Sequence, residues 1–400
     1  MKDWNLLLTL TPPERPSTVC FTTGGKYLVA SAHDRLYIYS KGNIFGEGWQ
    51  FQETILLDAN EEILEGYEHR SLVASNLGGY IAYLTRNTDT GEFKAVVRES
   101  ENAWNIRFTT PNLTPDSTFF AKPFLGFSPN SSKLGVWAYG LSLQELRVYN
   151  VYTGDLLYSN NLWSSGSPVY NNLTISDEYI AFSWKTYGNV GVSIHKLEEG
   201  LPSHTSWLLA TTGTLNEDAH PGCYRFSRNG KYLGTPVRYR VSVGGTLFWR
   251  GLSRLYNVNS GAFDLEHSFT HGDGSTWDTD VDILTTLENE ALAVWSTADY
   301  RTVWGGGNWR SSRLRTHMRL ESTSNWVSSY RDLRHIDNIP ESVAFSPCGN
   351  YIATTNRYGD EIYVYTWRNL FVKENASWYP VRAHTKNEDE TWKPLEVVRL

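Results

Sequence analysis

Three cysteines and two methionines are all the sulfur that the 400 residues contain. Cys20, Cys223 and Cys348 are odd in number, far apart and without paired neighbours. Neither a disulfide framework nor a cysteine-based zinc site can be built from them. Reduced thiols, buried as small apolar residues on inner strands, are the expectation, and with them an intracellular setting, cytoplasmic or nuclear. The Asn-x-Ser/Thr sequons at Asn112, Asn130, Asn172 and Asn375 then carry no glycan. Charge is also sparse: Asp, Glu, Lys and Arg make up 20% of the chain, against roughly a quarter in ordinary domains. No apolar run reaches the roughly 18–20 residues that a membrane-spanning helix needs. The short apolar stretch at the N-terminus is interrupted by Asp3 and Asn5 and is followed by no small-residue cleavage site, so no signal peptide is expected. A net charge of −7 argues against a nucleic-acid partner.

What is abundant is aromatic: 16 Trp, 24 Tyr and 16 Phe, a composition that favours strands. The strongest pattern is internal repetition. Residues 19–28, 125–134, 224–233 and 343–352 share one form: an apolar strand ending in Phe, then Ser or Thr, a tight polar turn, and a second strand. Asn, Pro and Gly stand where a hairpin turn needs a fixed or positive φ. Weaker copies lie at 173–181 and 283–292, and a degenerate one at 70–86. Phe21 and Phe345 are separated by six intervals averaging about 54 residues. Tyr- and β-branched-rich runs at 35–39, 146–150, 254–258 and 362–366 supply a third strand, and 155–159 exemplifies a fourth. Four short strands per unit and about seven units give an all-β fold, a β-propeller of seven four-stranded antiparallel blades.

Phe345-Ser346-Pro347 with Gly349 and Tyr351-Ile352, followed by Ile362-Tyr363-Val364-Tyr365, resembles a WD40 repeat, and so does the stretch from Phe127 to Gly154. The resemblance extends over nearly the whole chain and implies a propeller serving as a binding platform. The Trp-Asp pair that ends the third strand of such repeats is replaced by Tyr149-Asn150 and Tyr256-Asn257, and the Gly-His pair is missing. The family's His-Ser-Asp-Trp hydrogen-bond network is therefore not expected. The N-terminal style also resembles uncharacterised WD40-like propellers of filamentous fungi, of the F-box-associated type, without an F-box segment here.

The whole chain reads as one propeller domain, with residues 1–10 as closing strand, 11–384 as blades and 385–400 as a tail. Residues 4–10 and 378–384 both read as the outer strand of the last blade, and the tail around Trp392 offers a further edge strand; the sequence leaves the choice open.

Chemistry is harder to find. Simple alternation would put Asp278, Asp280 and Asp282 on one strand face, near His267, His271 and Asp273. The pattern fails as an EF-hand at Ile283 and Asn289, so no metal and no cofactor is expected. Neither a Gly-x-Ser-x-Gly elbow nor a phosphate-binding loop occurs. Gly305-Gly306-Gly307 reads as a flexible loop, and Glu61, Glu62, Glu65 and Glu68 as a solvated linker. One blade, residues 346–360, also resembles the seven-bladed lactonases, which makes a propeller hydrolase one alternative. A carbohydrate-binding propeller using tryptophan faces is another, although Trp104, Trp163, Trp184, Trp207, Trp249, Trp304 and Trp309 share no repeat phase.

Arginine is distributed unevenly. Thirteen of the 24 fall between positions 225 and 334, little more than a quarter of the chain. That stretch carries a net charge of +3, which leaves −10 for the rest. Two long loops are expected there, joining second and third strands of neighbouring blades on one face. The first carries Arg238, Arg240, Trp249 and Arg250; the second carries Arg301, Trp304, Trp309 and Arg310. Arg and Trp combine contact area with directed donors, as at interface hot spots. These eight residues are the candidate partner-binding site. The competing reading lodges the arginines between blades. The expected function is a non-enzymatic scaffold for a protein or peptide, with no catalytic residues.

Overall fold

The computed structural model describes residues 5–41, 49–64, 71–113, 124–139, 144–161, 169–186, 189–197, 205–211, 220–221, 224–227, 229–243, 246–259, 262–270, 275–285, 291–303, 306–319, 326–332, 340–347, 351–356, 359–366, 370–374 and 377–381. Among them are seven antiparallel sheets of four or five strands and one separate two-stranded hairpin. Sheet one contains Thr18–Phe21, Tyr27–Ala32, Arg35–Lys41 and Trp49–Leu56, paired in chain order. Sheets three, four and six, with inner strands Phe124–Phe127, Val169–Ile175 and Ser275–Thr285, repeat that meander, and sheet seven contains Pro340–Phe345, Tyr351–Asn356 and Ile362–Thr366. Sheets two and five add a short strand beside the second one, Glu61–Ile63 and His220–Pro221 respectively. The innermost strands lie against one another around a ring that closes from sheet seven back to sheet one. This is a β-propeller, as the repeat implied.

The core is divided among the gaps between sheets. One cluster joins Val19, Leu28 and Tyr37 of sheet one to Ala344, Ile362 and Val364 of sheet seven. Others fill the gaps from sheets one and two through to sheets four and five. In the third strand of sheet one, Leu36, Tyr37, Ile38 and Tyr39 are all buried, because the strand is covered on both faces. Trp137 and Phe182 meet across the gap between sheets three and four with ring centres 4.6 Å apart. Small residues let sheets approach: a Cβ at Gly135 would stand 3.3 Å from Ile175 Cδ1.

The recurring Ser or Thr after the inner strand has a structural task. Thr22 Oγ1 accepts the Tyr27 N–H at 3.2 Å, Ser75 Oγ that of Tyr80 at 2.9 Å and Ser128 Oγ that of Lys133 at 3.1 Å. Ser227 and Ser346 do the same for Tyr232 and Tyr351, each at 3.0 Å. Sheet four uses a shorter turn, with the Tyr179 N–H on Ser176 Oγ at 2.8 Å. Each of these six residues also donates its own N–H to the carbonyl of the same partner. Neighbouring turns are linked in places: Gly79 N–H donates to Thr23 Oγ1, and Leu77 N–H to Ser131 Oγ.

Closure is made by the N-terminus. Asn5–Leu10 pairs antiparallel with Ile362–Thr366 and forms the outer edge of sheet seven. Ser377–Val381 does not compete for that edge; it pairs with Leu370–Glu374 in the separate hairpin. The tail from 385 lies outside the described residues. The reading of the acidic segment as a solvated linker needs correction. Glu61 and Glu62 belong to a strand paired with Thr85, Arg86 and Asn87; Glu61 is ion-paired with Lys94, and Glu62 lies 3.6 Å from Arg86 and 3.5 Å from His33. Glu65 and Glu68 are outside the described residues. Among the described residues, no helix is long and apolar enough to cross a membrane.

Two outcomes are expected. Ser128→Ala strips a buried N–H of its acceptor and costs about 1–3 kcal/mol in urea unfolding, whereas Thr90→Ala, at an exposed turn, stays within about 0.5 kcal/mol. Removal of residues 1–10 uncovers the Ile362–Thr366 edge, and light scattering is expected to show self-association together with a lowered melting temperature.

Candidate functional site

The second strands of sheets one to four run six to eight residues. In sheets five and six they run 12 and 13, as Tyr232–Val243 and Ala291–Val303. Their partners, Thr246–Asn259 and Gly306–Arg319, are each 14 residues long. Four to seven extra residues at about 3.4 Å each raise these hairpins roughly 14–24 Å above the neighbouring blades. The sheet-five hairpin projects from the face opposite the Ser/Thr turns, because its second strand starts at such a turn and ends at the hairpin.

The expected long loops are therefore strands. Arg240 pairs with Trp249, Tyr239 with Arg250 and Arg238 with Gly251. The alternation of Val237, Val241 and Val243 with polar neighbours is a strand pattern, and Gly244 and Gly245 leave only two residues for the connection. In sheet six, Arg301 pairs with Asn308 and Tyr300 with Trp309, and Arg310 is the extra residue of a β-bulge. Gly306 and Gly307 are strand residues too, not a flexible loop. Trp304 lies outside the described residues.

Register separates the arginines. Arg238, Arg240 and Trp249 share one pleat phase, while Tyr239 and Arg250 take the other. The latter is the phase of Leu233, Val237 and Tyr256, which pack against Ala181, Val192 and Ile194 of sheet four. The inner strand of sheet six, Ser275–Thr285, lies against both strands of the hairpin. That inner strand carries the three aspartates. They do not form the single-faced row that simple alternation implies: a bulge pairs Asp278 with Thr297 and Asp280 with Ser296, which places these two in opposite phases.

A second candidate is the central channel. Cys20, Phe21, Ala74, Phe127, Ile175, Phe226 and Phe345 line it, with Arg225 the one charged side chain among its described lining residues. Its volume is about 80 Å³ and it is partly open to solvent, room for a few waters and well short of the roughly 300–1,000 Å³ of small-molecule pockets. Tyr224, also on the lining, donates its hydroxyl to the Gly191 carbonyl at 3.4 Å, and burial pushes its phenol well above the usual range. Among the described lining residues, Arg225 is accompanied by none of the His and acidic groups that a lactonase-like hydrolase needs. Trp49, Trp104 and Trp137 are buried, so they offer no open face to a sugar.

Several ordering contacts are not visible in the sequence. Arg98 donates to Tyr83 Oη and to the Trp104 carbonyl, each at 2.8 Å, tying the third strand of sheet two to the turn that follows it. Lys41 lies over the rings of Trp49 and Tyr351, whose centres are 4.7 Å apart, bridging sheets one and seven. No periodicity marks such pairs; they depend on which sheets become neighbours.

Comparison with solved structures agrees with this geometry. The β-propeller domain of Myceliophteria thermophila Cps50 (Swd1) superposes with a TM-score of 0.56 at 13% identity, over 91% of this chain and 99% of that one. The C-terminal WD40 domain of Sif2 gives 0.52 at 9% identity, over 91% and 98%. The chain thus has the fold of the WD40 propellers. At these identities the likeness shows the fold alone. No family model matches the sequence, and no curated protein does either.

With Cys223 and Cys348 replaced by Ser, Cys20, only 6% exposed on the channel wall, is expected to react with a thiol reagent at least about a hundredfold more slowly in the native protein than in denaturant.

Proposed function

We propose that the chain is a non-enzymatic scaffold, acting inside the cell, that holds a protein or peptide partner against the raised hairpins of sheets five and six. The observation that carries this reading is the projection of Tyr232–Val243 with Thr246–Asn259, and of Ala291–Val303 with Gly306–Arg319, beyond the neighbouring blades. Both ribbons are rich in arginine and tryptophan, the residue types enriched where interfaces concentrate their energy. The bulge at Arg310 adds to the reading, since bulges redirect a side chain locally. A closed ring of sheets holds the ribbons at their bases, so less ordering entropy is lost on binding than for free loops. The proposed site comprises Arg238, Arg240, Trp249, Arg250, Arg301, Trp304, Trp309 and Arg310.

The test compares wild type with the Arg250→Ala, Trp304→Ala, Arg310→Ala variant. Both are used as bait in native lysate and checked for equal melting temperature. A protein retained by wild type and lost by the folded variant is the expected result. Undiminished recovery of the same protein by the variant removes these residues from the site.

A further inference from the structure

Asn229-Gly230 is the one Asn-Gly pair in the 400 residues, and it lies in the Ser227-to-Tyr232 turn of sheet five. Such a pair is chemically labile. The backbone nitrogen of Gly230 can attack Cγ of Asn229. The new N–C bond closes a succinimide ring, the bond from Cγ to the amide nitrogen breaks, and ammonia leaves. Water then opens the ring at either carbonyl and yields aspartate or isoaspartate. Water is the only co-reactant. Glycine makes the attack easy, because no Cβ shields its nitrogen or restricts its backbone.

The folded turn opposes this step at both ends. The Gly230 N–H donates to the Ser227 carbonyl at 2.8 Å, so the attacking nitrogen is held by its proton. Oδ1 of Asn229 accepts the Ser227 hydroxyl at 2.8 Å and the Lys231 N–H at 3.1 Å, which pins the side-chain amide in one orientation. Gly230 has a φ of +71°, and a Cβ there would stand 3.5 Å from Pro129 Cγ and 3.7 Å from Ser176 Cβ. The turns of sheets three and four therefore steady its backbone, while Asn229 itself is exposed to water. Sheet three holds the same turn with Asn130-Ser131. The Ser131 N–H donates to the Ser128 carbonyl at 2.8 Å, and Asn130 Oδ1 accepts the Ser128 hydroxyl at 2.8 Å and the Ser132 N–H at 2.9 Å. There the second residue of the pair has a side chain, so the two turns differ where the chemistry is decided and agree in their hydrogen bonds.

We propose that Asn229 is a latent deamidation site: the folded turn of sheet five keeps the amide unreactive, and opening of that turn commits it to isoaspartate, which the turn cannot accommodate. Isoaspartate adds a methylene to the main chain and moves the free carboxylate onto Cα. The acceptor of the Ser227 hydroxyl and the Lys231 N–H is then displaced. Ser227 also accepts the Tyr232 N–H, and Tyr232 opens the long strand Tyr232–Val243, so the damage falls at the base of the raised hairpin. The aspartate product differs. Its carboxylate stands where the amide stood and accepts the same two donors, more strongly for being charged.

The test incubates the full chain in mildly alkaline buffer, with and without urea, and follows deamidation at Asn229 and Asn130 by peptide mass spectrometry. In urea, Asn229 is expected to deamidate faster than Asn130. In the native chain its rate is expected to fall at least about tenfold below the rate in urea, since attack then waits for local opening. Native chains that have deamidated are separated by ion exchange on their added negative charge and compared with Asn229→Asp. The variant is expected to keep the melting temperature of the wild type. The separated chains are expected to show isoaspartate by enzymatic carboxyl methylation, and faster hydrogen exchange than the variant at the amides of residues 230–237. Equal rates at Asn229 with and without urea overturn the protection. A rate at Asn229 no greater than that at Asn130 in urea overturns the choice of site. Exchange in the deamidated chains no faster than in Asn229→Asp overturns the effect on the turn.

Discussion

A buried hydroxyl at the turn between inner and second strands is the contact on which the architecture depends. Each sheet must reverse direction at a turn whose first residue is buried even where its tip is exposed. Two N–H groups and two carbonyl lone pairs must then find partners within a few residues. Thr22, Ser75, Ser128, Ser176, Ser227 and Ser346 meet this need with one side chain each, and all are nearly inaccessible. Because the hydroxyl belongs to the residue immediately after the inner strand, it also sets the register of the first two strands. The side chains filling the gaps between sheets follow from that register. Where the WD40 pattern uses a His-Ser-Asp-Trp network, this chain keeps the serine and closes the turn locally, in sheets three and five with help from Asn130 and Asn229 as acceptors of the serine hydroxyl.

The repeat was readable because the turn is local. Ser or Thr, a polar residue and Gly or Asn recur at nearly constant spacing whatever packs around them. Closure was not readable, because residues 4–10 and 378–384 are both short and apolar; which one meets Ile362–Thr366 is a property of the finished ring. The raised hairpins were mistaken for loops because arginine and glycine suggested irregular backbone. The two-residue period of Val237, Arg238, Tyr239, Arg240, Val241, Ser242 and Val243 was nevertheless present. The aspartates failed differently: a bulge between Asp278 and Asp280 inserts one residue and inverts the face of everything beyond it, and composition carries no mark of a bulge. Of the candidate binding residues, their clustering was legible, but their division between two pleat phases was not.

The two halves of the molecule meet their neighbours differently. Around sheets one to three, charge is neutralised within the molecule: Arg35 pairs with Asp34 and Glu14, Lys94 with Glu61, and Arg147 with Glu145. Sheet five has no acidic residue in its first three strands to do the same. In a chain of net charge −7, residues 225–334 keep a net charge of +3.

Pairing Asn5–Leu10 with Ile362–Thr366 has a consequence for synthesis. The first strand of the chain completes the last sheet, so it waits for its partner while some 350 residues are made. At about 5–20 residues per second, that interval is roughly 20–70 s. During this time an apolar segment that includes Leu6, Leu7, Leu8 and Leu10 has no edge to occupy. The early sheets can form, but the ring cannot close, and the outer edge of sheet seven does not yet exist. A polysome with many chains at this stage concentrates the same unpaired segment until residues 362–366 have been made.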